Sequence, residues 1–221
     1  MHAFRDVETA AYCPRKLYYR RRQPPEQRDE TPDIVEKRRQ LAFEYDTLLS
    51  DEAELRAAPI EVTPTQFRSR MGCARARVTD WEGIVDPAER EVRLSGRDCR
   101  GVAHKILAGS PPVPSLVFAG EPPEQGVWKP QSVRLVAAAK ALSWEREASV
   151  ERAVAEYPAY GVVREVDIDA RRTAAYREAV RTADAIDGPP AKTNQREKCS
   201  PCDYRDQCGV RTRSLRSLLG G

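Results

Sequence analysis

Four cysteines at opposite ends of the chain constrain its fold more than any other feature. Cys13 stands in the run Ala11-Tyr12-Cys13-Pro14-Arg15-Lys16-Leu17-Tyr18-Tyr19, and Cys199, Cys202 and Cys208 follow a C-x2-C-x5-C spacing near the finish. Three cysteines within ten residues, beside Pro201 and between basic residues, form a metal-ligand pattern. Four soft thiolates make a closed tetrahedral set, which suits an iron–sulfur cluster or a structural zinc. Cys13 alone would read as a small core residue. Joined to the other three, it would tie the two termini together and make everything between them a loop on one clasp.

Charge follows the same division. The 221-residue chain has a formal net charge of +3. Residues 1–22 carry six Lys or Arg against two acids, and residues 192–221 carry seven against three, so the middle of the chain is acidic. A cysteine clasp would merge the ends into one basic surface of the kind that favours phosphate backbones. Without it, these are ordinary solvated charges. The length is that of one domain and is enough to bury a core without metal. No stretch is long and apolar enough to span a membrane, and no apolar segment of a secretory signal follows the first residues. We therefore expect a cytoplasmic protein, in which reduced cysteines are metal ligands before they are disulfides. Cys73 and Cys99 read as ordinary buried thiols.

Apolar spacing predicts a helix over residues 4–22, turned at Pro14, and another from Ile34 to Leu49. Thr63-Pro64 is a helix start, and Asp86-Pro87 repeats the signal for a short helix ending at Gly96. Residues 101–107 and 113–119 read as strands, and residues 131–145 as an amphipathic, Ala-rich helix. Strands at 150–154 and 162–168 flank Tyr160-Gly161, and a last helix runs from Arg171 to Ile186 before Gly188-Pro189-Pro190. The order predicts an α/β or α+β single domain.

CPRKLYY at the start and C-x2-C-x5-C at the end resemble the CRISPR-associated iron–sulfur exonucleases, in the RecB-like branch of the PD-(D/E)XK nuclease superfamily. The resemblance implies a [4Fe–4S] cluster held by Cys13, Cys199, Cys202 and Cys208. It also implies a nuclease-like core over residues 34–190 and a small iron–sulfur subdomain made by residues 1–22 with 192–221, all within one domain of residues 1–221. DNA, single-stranded or at ends, is the implied partner, with proteins of CRISPR adaptation or DNA repair beside it.

The family's catalytic positions are filled differently in this chain. Its early histidine falls near Glu44 or Tyr45, and the strand motif G-x-x-D ends in His104, in Gly101-Val102-Ala103-His104. The E-x-K of the next strand falls on Val117-Phe118-Ala119. The glutamine and tyrosine of the following helix fall on Arg134 and Ala138, or on Gln131 and Leu135 in the other register. Apolar side chains at Val117 and Ala119 cannot hold Mg²⁺ or Mn²⁺, which take oxygen ligands. Asp98, Glu121 and Glu124, with His104 and Lys105, are the groups that would have to rebuild a site. Alone in an apolar strand, His104 otherwise reads as a satisfied core residue.

These residues lead us to expect a DNA-binding iron–sulfur protein without nuclease activity. Arg15, Lys16, Arg20, Arg21, Arg22, Arg211, Arg213 and Arg216 would meet phosphates, and Arg134 would make a phosphate contact where the family has a catalytic group. Tyr18 and Tyr19, interleaved with these cations, could stack on bases. Two alternatives stand beside this one. The first is an active Mn²⁺- or Mg²⁺-dependent exonuclease with a relocated site. The second is a zinc-clasped interaction module.

Overall fold

A computed structural model describes residues 1–24 and 31–209 of the chain. Its helices, in chain order, begin with α1 (Phe4–Tyr12), α2 (Pro14–Arg22) and α3 (Asp33–Gln40). A 3-10 turn at Leu41–Phe43 leads into α4 (Tyr45–Ser50), α5 (Glu52–Ala57), α6 (Pro64–Arg77) and α7 (Trp81–Val85). Then come α8 (Lys129–Arg146), α9 (Ala170–Asp184) and two single turns, α10 (Arg196–Cys199) and α11 (Arg205–Cys208). The strands are β1 (His2–Ala3), β2 (Glu89–Ser95), β3 (Cys99–Leu107), β4 (Val113–Val117), β5 (Arg152–Tyr157) and β6 (Val162–Asp167). They form one mixed, open sheet, so the chain is of the mixed α/β class.

Strand β3 organises the sheet. The antiparallel β2 covers one of its edges along most of its length. The other edge is shared: β1 pairs in parallel at Cys99 and Arg100, and β4 pairs antiparallel at Lys105, Ile106 and Leu107. Between these two partners lies the stretch Gly101–His104, where the Phe4 ring packs on the backbone. A Cβ on Gly101 would stand 2.3 Å from Cδ2 of Phe4, so the strand needs glycine at this point. Strand β5 continues the sheet in parallel with β4, and β6 closes it antiparallel to β5.

Helices cover both faces. On one, α1, α8 and α9 bury Phe4, Val7, Val136 and Tyr176 against Ile106 and Leu116. On the other, Tyr45, Leu55, Phe67, Met71 and Ile84 pack against Leu107, Val117 and Val154. The start of α6 follows from its sequence: Thr63 and Gln66 form a reciprocal capping box around Pro64. Helix α1 belongs to the main core through Phe4, Val7 and Ala10, although it leads directly to Cys13.

Three sequence expectations are corrected. Residues 89–95 are strand β2, not a helix following Asp86-Pro87. Their alternation places Leu94 inside and leaves five charged or polar side chains exposed, as suits an edge strand. Helix α8 is not amphipathic: Val133, Leu135, Val136, Ala137, Ala138 and Ala139 are all buried, which is the pattern of a helix enclosed on most sides. The segment from Ile34 to Leu49 is broken by the 3-10 turn instead of running as one helix. Of the two spare cysteines, Cys99 is buried as expected and Cys73 is exposed on α6.

Candidate metal centre

Cys13 lies in extended backbone between α1 and α2, and Pro14 fixes the turn by opening α2. At the other end, Cys199, Cys202 and Cys208 fall on consecutive tight turns. Cys202 N donates to the Cys199 carbonyl at 3.2 Å, Arg205 N to the Cys202 carbonyl at 3.1 Å, and Cys208 N to the Tyr204 carbonyl at 2.8 Å. The four cysteines line one cavity. Thus residues 186 positions or more apart meet around a common space. All four cysteines are free thiols.

Polar and aromatic contacts join the two ends around this cavity. Tyr12 and Lys198 exchange side-chain-to-carbonyl bonds of 3.3 and 3.1 Å. Tyr19 stacks on Tyr204 with ring centroids 5.9 Å apart and donates its hydroxyl proton to the Gln207 carbonyl. Tyr204 donates to Gln23 at 2.5 Å, and Arg15 to the Pro190 carbonyl at 2.6 Å.

The donor set is all sulfur, and five cations, Arg15, Lys16, Lys192, Lys198 and Arg205, line the same cavity. Burial first, and then the closeness of Cys13, Cys208 and Cys202, pushes the Cys199 thiol above its usual range. Four thiolates cannot crowd together without a positive centre, and a ring of cations offsets the negative charge that a tetrathiolate centre retains. The donor set therefore fits a thiolate-bound cluster in residue type and charge. Among the described residues, no group of three or more His, Cys, Asp or Glu is closed tightly enough to ligate a single ion as it stands.

Most of the basic residues expected to meet phosphate are engaged within the protein. Lys16 pairs with Asp203 at 3.6 Å, and Arg20 with Asp6 at 3.0 Å. Arg21 donates to the Ala183 carbonyl at 2.6 Å and lies 2.9 Å from Nδ1 of His2. Arg22 lies over the Tyr18 ring and bonds its hydroxyl. Tyr18 and Tyr19 meet edge to face, so both rings are already partnered. Arg211, Arg213 and Arg216 lie outside the described residues.

His104 stands where β3 and β4 part. The ladder between these strands stops at Lys105 and Ser115, and the Val117 amide donates instead to Nδ1 of His104 at 3.0 Å. Burial, then Arg134, Arg39 and Lys105, depress the imidazole pKa to about 3. The ring is neutral, with its proton on Nε2. His104 and Arg134, two of the altered motif positions, do come together: both line an open groove with Arg5, Arg39, Arg93 and Arg100. Other candidates lie elsewhere. Val117 is core, Ala119 offers its carbonyl to Arg38, and Asp98 sits at the start of β3 near Tyr176. Glu44 is exposed, while Glu121 and Glu124 serve through their carbonyls, which accept from Trp128 and Arg164.

The sequence reading missed a buried pair behind His104. Lys105 on β3 and Glu156 on β5 are both fully buried, with Nζ 2.8 Å from Oε2. The ammonium also donates to the Ala42 carbonyl at 2.6 Å and the Ile84 carbonyl at 2.7 Å, which uses all three of its protons. Ser115 donates to the other carboxylate oxygen at 2.5 Å. This is an acid and a lysine that meet across the intervening strand β4, sealed from solvent and with every ammonium proton used. A signal existed: an acid inside Ala153-Val154-Ala155-Glu156-Tyr157 and a lysine inside His104-Lys105-Ile106-Leu107 demand each other, because a buried charge needs a partner.

Set against family models and curated protein sequences, the chain matches none. Fold and site define a mixed α/β protein whose two ends bring four thiols and five cations to one cavity.

Proposed function

We propose that this chain is a DNA-binding protein whose ends are clasped by a [4Fe–4S] cluster, and that it does not cleave DNA. The observation that carries the reading is the meeting of Cys13 with Cys199, Cys202 and Cys208 at one cation-lined cavity. When bound, such a cluster supplies four iron–thiolate bonds that close a very long loop. Cys13 would hold it from the α1–α2 junction, and the other three from the turns that follow α9. Tyr12, Tyr19 and Tyr204 brace the two sides, and the surrounding lysines and arginines balance the charge.

The nuclease-like core of the family resemblance is part of this proposal. Loss of cleavage follows from the site chemistry. At the motif positions His104 holds an amide proton, and Val117 faces apolar core. Among the described residues, the acid–lysine pair of the sheet core, Lys105 on β3 and Glu156 on β5 across β4, is sealed with every ammonium proton used, which leaves it no opening for a phosphate or a metal.

The test is anaerobic purification with iron, sulfide and zinc assays and a visible spectrum, followed by incubation of the protein with single-stranded DNA and Mn²⁺. Brown protein with about four irons per chain, salt-sensitive DNA retention and intact DNA is the expected result. Colourless protein with one zinc, or DNA retention indifferent to salt, would defeat the proposal. Manganese-dependent degradation would restore the exonuclease reading.

A further inference from the structure

The groove where β3 and β4 part is crowded with cation. Arg5 and Arg134 rise from α1 and α8, Arg39 from α3, and the exposed side chains of Arg93 and Arg100 from β2 and β3. His104 forms part of its floor, its Nδ1 occupied by the Val117 amide and its Nε2 left as a donor. The only acids lining the groove are Glu36 and Glu91, both exposed. Glu36 lies 3.4 Å from Arg39, and Glu8 lies 3.3 Å from Arg134 outside the groove lining. Even so, the Nε–H groups of both Arg39 and Arg134 are buried without a hydrogen-bond partner. Both exposed, Arg93 and Arg100 make no side-chain hydrogen bond or ion pair with a described residue.

An arrangement of this kind is costly for an empty protein. Arg5 is held below its usual pKa by burial, then by repulsion from Arg20, Arg134 and Arg39. Gathering guanidinium groups and leaving buried donors unpaired disfavours folding unless an anion answers them. Guanidinium suits phosphate because its planar fork gives paired, charge-assisted bonds to two oxygens. The apolar Phe118 face under Arg134, with the guanidinium carbon 5.7 Å from the ring centroid, fixes the plane of that fork.

We propose that this groove binds a phosphate group of a DNA strand directly, with Arg39, Arg93, Arg100, Arg134 and the His104 Nε2–H in contact with its oxygens and no divalent ion between. The proposal rests on the DNA-binding reading and gives it a site away from the cysteine clasp.

Fluorescence anisotropy with short single-stranded DNA in EDTA tests it. The strand is supplied with a 5′-phosphate or a 5′-hydroxyl, and salt is titrated. The variant is R93A/R100A, chosen because both side chains are exposed and unpartnered, so its melting temperature should match the wild type. The expected result is an affinity loss of about tenfold and a salt slope shallower by about 1.4, the value for two contacts on a single strand. A greater loss on the phosphorylated strand assigns the groove to a strand end; an equal loss assigns it to internal phosphates. Unchanged affinity in R93A/R100A, with loss in R15A/K16A, would overturn the groove and leave the DNA-binding reading standing. Binding that appears only with Mg²⁺ or Mn²⁺ would overturn direct phosphate contact. Wild-type protein that binds neither strand would remove the DNA-binding reading and the groove with it.

Discussion

Substituting Glu156 with leucine should be among the most damaging single changes in the protein. Lys105 would keep two carbonyl acceptors, from Ala42 and Ile84, but lose the only anion it touches. Breaking a fully buried ion pair from one side costs about 3–5 kcal/mol, because the remaining charge is uncompensated. The Ser115 hydroxyl loses its acceptor as well, which adds about 1 kcal/mol. A chain of this size loses about 2–4 °C of melting temperature per kcal/mol, so a fall on the order of 10–20 °C is expected. The reasoning is sharper in the double variant. K105M/E156L removes both charges and keeps most of the volume, so it should be more stable than E156L by about 2 kcal/mol despite carrying one more substitution. Urea unfolding followed by circular dichroism measures E156L, K105M and the double variant against the wild type. If the double variant lost the sum of the two single losses to within about 0.5 kcal/mol, the side chains would not act as a pair and the account of the sealed site would fail.

Acid should weaken the protein through His104. Its folded pKa is depressed to about 3 from 6.5, so between those values the unfolded chain binds a proton that the folded chain refuses. Stability therefore falls as pH drops through this window, by about 1.4 kcal/mol per pH unit from this group. Comparing wild type with H104Q between pH 6.5 and 5, above most carboxylate titration, should reveal the missing proton in the variant; parallel profiles would refute the assignment. Cys199→Ser should abolish iron retention and lower the helical signal of the C-terminal turns without unfolding the sheet, as read by iron assay and circular dichroism. Retention of the full iron content would remove Cys199 from the ligand set. Gly101→Val should cost about 1–3 kcal/mol by driving a side chain into Phe4, and F4A/G101V should recover part of that loss in urea unfolding.

Local chemistry made much of the fold readable. Thr63-Pro64 announces α6 because capping and a fixed proline φ act within a few residues. Gly161, at φ 62°, marks the β5–β6 turn for the same reason. Strand β2 was hidden because an edge strand with charges on its outer face has few apolar residues to alternate. The cysteines were legible as a set by residue type and spacing. Their meeting with five cations depends on α1, α9 and the final turns together, which no window of sequence contains. The Lys105–Glu156 pair joins β3 and β5, which never pair with each other and are brought together only because both flank β4, so its two halves each looked like isolated oddities.

The same distance in sequence explains why the basic surface moved. Counting charge along the chain points to the ends, and the ends are indeed Arg-rich. A guanidinium already bonded to a carbonyl or a carboxylate has less to offer a phosphate, however. Arg15, Arg20 and Arg21 are used in this way to hold the N-terminal helices to residues 183–190 and to Asp6. Arg93 and Arg100 come from the acidic middle of the chain, where counting gave them no weight, yet they stand exposed beside three further arginines. Net charge governs long-range attraction, while unpaired donors at fixed positions govern the contact itself. On the proposed reading the two separate: the cysteine end would supply field and rigidity, and the groove at His104 the donors. Variants at Arg15 and Lys16 should therefore slow association with DNA more than they hasten release, and variants at Arg93 and Arg100 should do the reverse; stopped-flow kinetics would distinguish the two, and equal effects on both rates at both places would refute the division.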